Sequence, residues 1–163
     1  MAKQVLFVCT GNSCRSVMAQ GLLQKRLKEL EQKLQEPIEV LSAGVFAIEG
    51  MPASKETVAL LQREGVDVSG HMARLLSNDR IRSAALIFVM ESFHRDEILR
   101  RAPDAKPKVH LLKAFRRPQA ADDDGGIPDP MGKPLEVYEV CFAAVKESVE
   151  RIAQALTSSG PPA

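Results

Sequence analysis

Gln4-Val5-Leu6-Phe7-Val8-Cys9-Thr10-Gly11-Asn12-Ser13-Cys14-Arg15-Ser16 is the stretch on which the reading of this chain turns. The apolar run 5–8 ends on Cys9, and a short polar segment leads to Arg15, Ser16 and a long helical pattern. A nearly continuous apolar run predicts a parallel strand covered on both faces. A tight loop between such a strand and a helix turns backbone N–H groups and the positive helix end toward one point, which favours an anion there. Cys9 and Arg15 bracket that point, and Thr10, Gly11, Asn12, Ser13, Cys14 and Ser16 complete the cradle. The sharp backbone angles of so short a loop are expected at Gly11, which carries no Cβ, and at Asn12, which tolerates the left-handed region.

Outward from the loop, strand and helix patterns alternate. A helix predicted from Ser16 to about Gln35 puts Leu23, Leu27, Leu30 and Leu34 on one face, and Pro37 stops it. Strands are predicted over 38–41, running into Ser42-Ala43-Gly44, and over 85–90 and 108–112. Helices are predicted from Ser54 to Gly65, over 78–84 and 91–101, and from Leu135 to about Leu156. The last of these turns Val137, Cys141, Ala144, Val145, Val149 and Ile152 inward. Residues 113–134 are rich in Pro, Gly and Asp, and a loop of that length usually carries function. The alternation predicts an α/β fold: a doubly wound, flavodoxin-like, four-stranded parallel sheet in the order 2-1-3-4, with helices on both faces. Ligands of such sheets bind outside the carboxyl ends of the strands, where Cys9 falls. A single domain over 1–157 is expected, with 158–163 a frayed tail.

Composition narrows the class. In 163 residues, 22 Lys and Arg nearly balance 21 Asp and Glu, so no global charge draws the chain to nucleic acid or membrane. No 18-residue apolar span and no secretory segment after Met1 is seen, which points to the cytoplasm. Three cysteines form no disulfide framework and suit a reducing compartment. His71 and His94 have no paired ligands at metal-binding spacing. His71 is read as support for the loop and His94 as a helix-surface or capping residue. A monomer without metal or other cofactor is expected.

The cradle implies a chemistry. A helix N-terminus, the Arg15 charge and hydrogen bonds from loop amides and the Ser16 hydroxyl all favour thiolate over thiol at Cys9. A thiolate beneath a bound phosphoryl group can attack phosphorus in line, while Arg15 grips two equatorial oxygens. Loop dipoles and Arg15 supply the charge neutralisation that a metal would otherwise give. The leaving group needs a proton from a carboxylic acid. Asp122, Asp123 and Asp124 read as a solvated tip, whereas Asp129 is held between Pro128 and Pro130 and is the better general acid.

Cys9 to Ser16 near the N-terminus, Ser42-Ala43-Gly44 after the second strand and Asp129-Pro130 in the late loop together resemble the low-molecular-weight protein tyrosine phosphatases. The resemblance extends over nearly the whole chain in motif order. It implies Cys9 as nucleophile, Arg15 as phosphate binder, Asp129 as general acid and a phosphorylated protein as substrate. It also implies that Ser16, Ser42 and His71 hydrogen-bond Asn12, and that Cys14 forms a reversible disulfide with Cys9 in some members. Val17 and Gln20 stand where the family often has proline and glutamate, a departure read as touching the start of the helix.

Three branches of the family compete. The thioredoxin-coupled arsenate reductases share the loop but need two further cysteines after the third strand, and residues 90–99 contain none. Tyrosine phosphatases typically place a large aliphatic residue at position 13 and aromatic residues after the Asp-Pro. Arginine phosphatases tend to carry threonine at position 13 and a sequence like Ser42-Ala43-Gly44-Val45-Phe46-Ala47. Here Ser13 is small, Met131-Gly132 follows Asp129-Pro130, and Phe46 is the single aromatic expected at the pocket wall. Phosphotyrosine and phosphoarginine both stay open. A non-catalytic phosphate-binding module is the reading from another class; it would need neither the thiolate nor the acid.

Overall fold

The computed structural model describes residues 2–118 and 124–158. Strand β1, Lys3–Cys9, lies in the middle of a parallel sheet. It pairs with β2, Ile38–Gly44, on one side and with β3, Leu86–Val89, on the other. Strand β4, Val109–Leu111, flanks β3, giving the order β2-β1-β3-β4 that the alternation predicts. Side chains of a strand alternate between faces, and β1 splits accordingly. Val5 and Phe7 join one core cluster, while Leu6 and Val8 join a second on the opposite face.

Helices α1, Arg15–Glu29, α2, Lys55–Arg63, and α5, Leu135–Thr157, cover the first face. Helices α3, Asn78–Ser83, and α4, Ser92–Arg101, cover the second through Ile81 and Ile98. Ser54 caps α2, accepting from the Thr57 N–H, and Gly65 follows with φ 78°. No helix among the described residues is long and apolar enough to cross a membrane.

Several boundaries differ from expectation. Helix α1 ends at Glu29, well before Pro37. The Leu30 N–H is shared between the carbonyls of Arg26 and Leu27, and the chain tightens into a 3₁₀ turn over Glu31–Lys33. That turn folds Leu34 back against the core rather than carrying it outward on a longer helix. On α5 the buried residues include Tyr138, Cys141, Phe142, Val145, Val149 and Ile152. Val137 is 41% exposed, not inward as predicted, because its neighbour Tyr138 occupies the inner stripe of the first turn. Asp122 and Asp123, and the tail from 159 onward, lie outside the described residues.

Candidate active site

The site forms where the carboxyl ends of β1 and β3 meet the start of α1. Cys9 is the last residue of β1 and Arg15 the first of α1, so strand and helix fix both ends of the loop between them. Four carbonyls of this stretch are engaged by the surrounding structure. Those of Cys9, Thr10, Asn12 and Ser13 accept from Val45 N, Phe46 N, His71 Nε2 and Ser54 N, at 2.9, 2.9, 2.9 and 3.0 Å. Because a carbonyl only accepts, the hydrogen on the His71 ring sits on Nε2.

Asn12 is the keystone of the loop, and it is the loop residue that turns left-handed, at φ 52°. Gly11, expected to share that role, does not adopt a positive φ. The Asn12 amide holds the unusual turn in place by engaging both of its hydrogens and its oxygen within the protein. Its Nδ2 donates to Ser16 Oγ at 2.8 Å and to Ser42 Oγ at 2.9 Å, and its Oδ1 accepts from Arg74 N at 2.9 Å. Ser42 Oγ donates in turn to Gln20 Oε1, whose amide nitrogen donates to Val40 O at 3.2 Å. Gln20 therefore supports the loop, rather than touching only the start of the helix as its departure from the family pattern suggests.

The sulfur of Cys9 is buried beneath this frame. Asn12 N donates to it at 3.3 Å, and Ser16 Oγ lies 2.9 Å away. Since Ser16 Oγ already accepts from Asn12, its own hydrogen is free to point at the sulfur. Donors directed at Cys9 Sγ are what an anionic sulfur requires.

Arg15 is 1% exposed and is held by its terminal nitrogens. Nη1 donates to Glu91 Oε2 at 2.8 Å and to Ile127 O at 2.7 Å. Nη2 donates to Thr10 Oγ1 at 3.4 Å and faces Asp129 Oδ2 at 3.6 Å. Asp129 also accepts from Met131 N at 3.1 Å, and its side chain is 44% exposed. The structure therefore brings Cys9, Arg15, Ser16 and Asp129 to one place, with Ser42 and His71 behind the loop. Phe46 stands 70% exposed beside the loop, tied to it by its backbone N–H. Ser13 is partly buried and contributes its carbonyl to Ser54.

Cys14 is buried behind the loop, with Ser54 Oγ at 3.3 Å and Tyr138 Oη at 3.7 Å from its sulfur. All three cysteines are free, and burial pushes the Cys141 thiol up to about 12. Burial, followed by its hydrogen bond to Cys14, likewise raises Tyr138 to about 12. No cluster of three or more metal-ligating side chains occurs among the described residues.

Glu91 escapes the sequence reading, and His94 enters it only as a helix-surface or capping residue. Glu91 follows β3 as the N-cap of α4, and His94 sits three residues on. His94 does cap the helix, but it is fully buried rather than on the surface. Both lie at the carboxyl end of a strand, the same rule that located Cys9, and that signal could have found them.

The profile of the family described as low molecular weight phosphotyrosine protein phosphatase matches residues 4–161. A protein-arginine-phosphatase of Geobacillus stearothermophilus is 39% identical over 156 residues, covering 96% of this chain and 97% of its own. The structure of a low molecular weight protein tyrosine phosphatase from T. tengcongensis superimposes with TM-score 0.82 at 36% identity, covering 94% of this chain and 99% of that one. A cysteine-to-serine mutant of the YwlE arginine phosphatase, with a phosphorylated active-site serine, gives TM-score 0.82 at 27% identity, over 96% and 97%. Matched over nearly its whole length, the chain belongs to the low molecular weight phosphotyrosine protein phosphatase family and is a protein phosphatase.

Proposed function

We propose that Cys9 is the nucleophile, Arg15 the phosphoryl-binding group and Asp129 the general acid of a metal-independent phosphatase acting on phosphoarginine in proteins. The observation that carries the roles is the sulfur of Cys9 beneath two hydrogen-bonding groups, Asn12 N and Ser16 Oγ, with Asp129 3.6 Å from the guanidinium of Arg15. Cys9 Sγ attacks phosphorus, the bond to the leaving group breaks, and Asp129 gives that group its proton. Arg15 and the loop amides hold the equatorial oxygens as charge develops. Asp129, now ionised, takes a proton from the water that hydrolyses the cysteinyl-phosphate, and free phosphate leaves. Ser16 accompanies the sulfur through both steps, donating to it whenever it is released as thiolate.

Three features support phosphoarginine over an aryl phosphate. Ser13 is small where tyrosine phosphatases hold a large aliphatic side chain, and Met131 stands where they hold an aromatic. The half-exposed Asp129 carboxyl group suits a guanidine leaving group, to which its acid hydrogen can bond before passing across as the phosphorus–nitrogen bond breaks. The 39% identical relative is named for that activity. Phosphotyrosine is the second reading, favoured by the exposed Phe46 ring beside the loop. The enzyme is proposed to work as a monomeric cytoplasmic domain spanning 1–157, where a reducing medium keeps its buried thiols free.

Parallel kinetics on a phosphoarginine peptide and a phosphotyrosine peptide test the substrate. A higher kcat/KM on phosphoarginine is expected, together with a shift toward the aryl substrate in Ser13→Ile. Preference for phosphotyrosine in the wild type overturns the substrate assignment.

A further inference from the structure

His94 is a buried titratable side chain beside the site to which the chemistry above gives no task. It is fully enclosed at the third position of α4, and both ring nitrogens are engaged. The Glu91 backbone N–H donates to Nδ1 at 3.0 Å, so Nδ1 carries no hydrogen. Burial, and then the positive charge of Arg15, hold the imidazole down at about 3, so the ring is neutral at physiological pH. Its hydrogen therefore sits on Nε2, which lies 2.9 Å from Thr10 Oγ1 and donates to it. Thr10 Oγ1 also accepts from Arg15 Nη2 at 3.4 Å. Both acceptor positions of this hydroxyl are thus taken by N–H groups.

We propose that His94 is a positioning residue for the anion cradle: its Nε2–H fixes the Thr10 hydroxyl as an acceptor for Arg15 Nη2, and so sets the plane in which the guanidinium meets a phosphoryl group. This rests on the reading of Arg15 as the phosphoryl-binding group. The two strong contacts of Arg15, to Glu91 and Ile127, both fall on Nη1. Around Nη2 stand Thr10 Oγ1 and the Asp129 carboxyl group. Asp129 must change protonation during turnover, so Thr10 is the steady guide. Without the imidazole, the Thr10 hydroxyl is free to rotate and to turn its hydrogen toward Nη2, placing a donor against a donor. A protonated imidazole would fail differently, because Nδ1–H would oppose the Glu91 N–H and a second cation would stand beside Arg15.

Glutamine provides the discriminating substitution. Its amide oxygen and nitrogen are spaced much like the two ring nitrogens, so His94→Gln keeps an acceptor for Glu91 N–H and a donor for Thr10. His94→Leu keeps the bulk and neither function. With p-nitrophenyl phosphate, kcat/KM is expected to fall about tenfold in His94→Leu, the inhibition constant of inorganic phosphate rising in step, and to recover largely in His94→Gln. In a Thr10→Val background, His94→Leu is expected to add less than about twofold, because its route to Arg15 is already cut. The inference is overturned if His94→Leu matches the wild type, if glutamine is no better than leucine, or if the same loss persists in Thr10→Val. Should His94→Leu fail to fold, Thr10→Val alone decides: wild-type rate and phosphate affinity would refute the inference, and the tenfold loss would support it. A wild-type enzyme that binds phosphate but turns nothing over would refute the catalytic roles instead, and phosphate affinity in the variants would still read the cradle.

Discussion

Glu91 Oε2 lies 2.8 Å from Nη1 of Arg15, an ion pair that joins the end of β3 to the start of α1 across the floor of the site. The guanidinium is almost sealed from solvent, so its charge needs a partner in the fold, and Glu91 supplies one before any substrate arrives. The same carboxylate repels an incoming anion. Glu91→Gln keeps an acceptor for Nη1 and removes that repulsion, so the inhibition constant of phosphate is expected to fall about threefold or more. Glu91→Ala strips the partner away and is expected to cost about 2 kcal/mol in urea unfolding. An unchanged phosphate constant in Glu91→Gln would show that the charge is not felt at the cradle.

Gly44 is required by space alone. A Cβ built there would stand 2.5 Å from Thr10 O and 2.8 Å from Asn12 N, both backbone atoms of the loop that cannot move aside without reshaping it. Gly44→Ala is expected to lower kcat about a hundredfold while the far-ultraviolet circular dichroism stays native-like, since a displacement near 1 Å at a reacting centre has that scale of effect.

The roles of Cys9 and Asp129 separate by leaving group. Cys9→Ser is expected to abolish turnover while retaining phosphate and vanadate binding, read by calorimetry. Asp129→Ala is expected to slow turnover about a hundredfold or more on poor leaving groups, and least on p-nitrophenyl phosphate, whose leaving group needs little help from an acid. Uniform slowing across a leaving-group series would remove Asp129 from the acid role.

Acid stability reports on His94. Its folded value of about 3 lies below the ordinary histidine value of 6.5, so the unfolded chain binds a proton in a range where the native ring does not. The histidine therefore costs nothing above pH 7 and withdraws stability as pH falls from 6.5 toward 3. Between pH 7 and 4.5 the difference between wild type and His94→Gln in urea unfolding is expected to move by about 2–3 kcal/mol against the wild type. Parallel curves for the two proteins would show the ring is not held neutral.

Strand order and the five-residue loop were readable in the sequence because each rests on local pattern: apolar runs for β1 and β3, and a cysteine and an arginine spanning a turn for the cradle. Asn12, Ser16, Ser42 and His71 meet as the family resemblance implies. What escaped was decided by tertiary contact. The end of α1 depends on Leu34 folding back to the core, and no stop signal precedes Pro37. Val137 and Tyr138 are both acceptable inner residues by type, and only the docking of α5 beside Cys14 selects the tyrosine. Glu91 and His94 look like ordinary helix-start residues until β3 lies parallel to β1 and brings them to Arg15 and Thr10.

Strand register carries a further consequence. Cys9 pairs with Gly44 at the last rung of the β1–β2 ladder, so the height of the sulfur is set by a rigid neighbouring strand and not by the loop that wraps it. Grafted between some other strand and helix, residues 9–16 would take their shape with nothing to gauge that height. The unit that evolution or design can transplant is therefore the whole pair of adjacent strands with the loop between them.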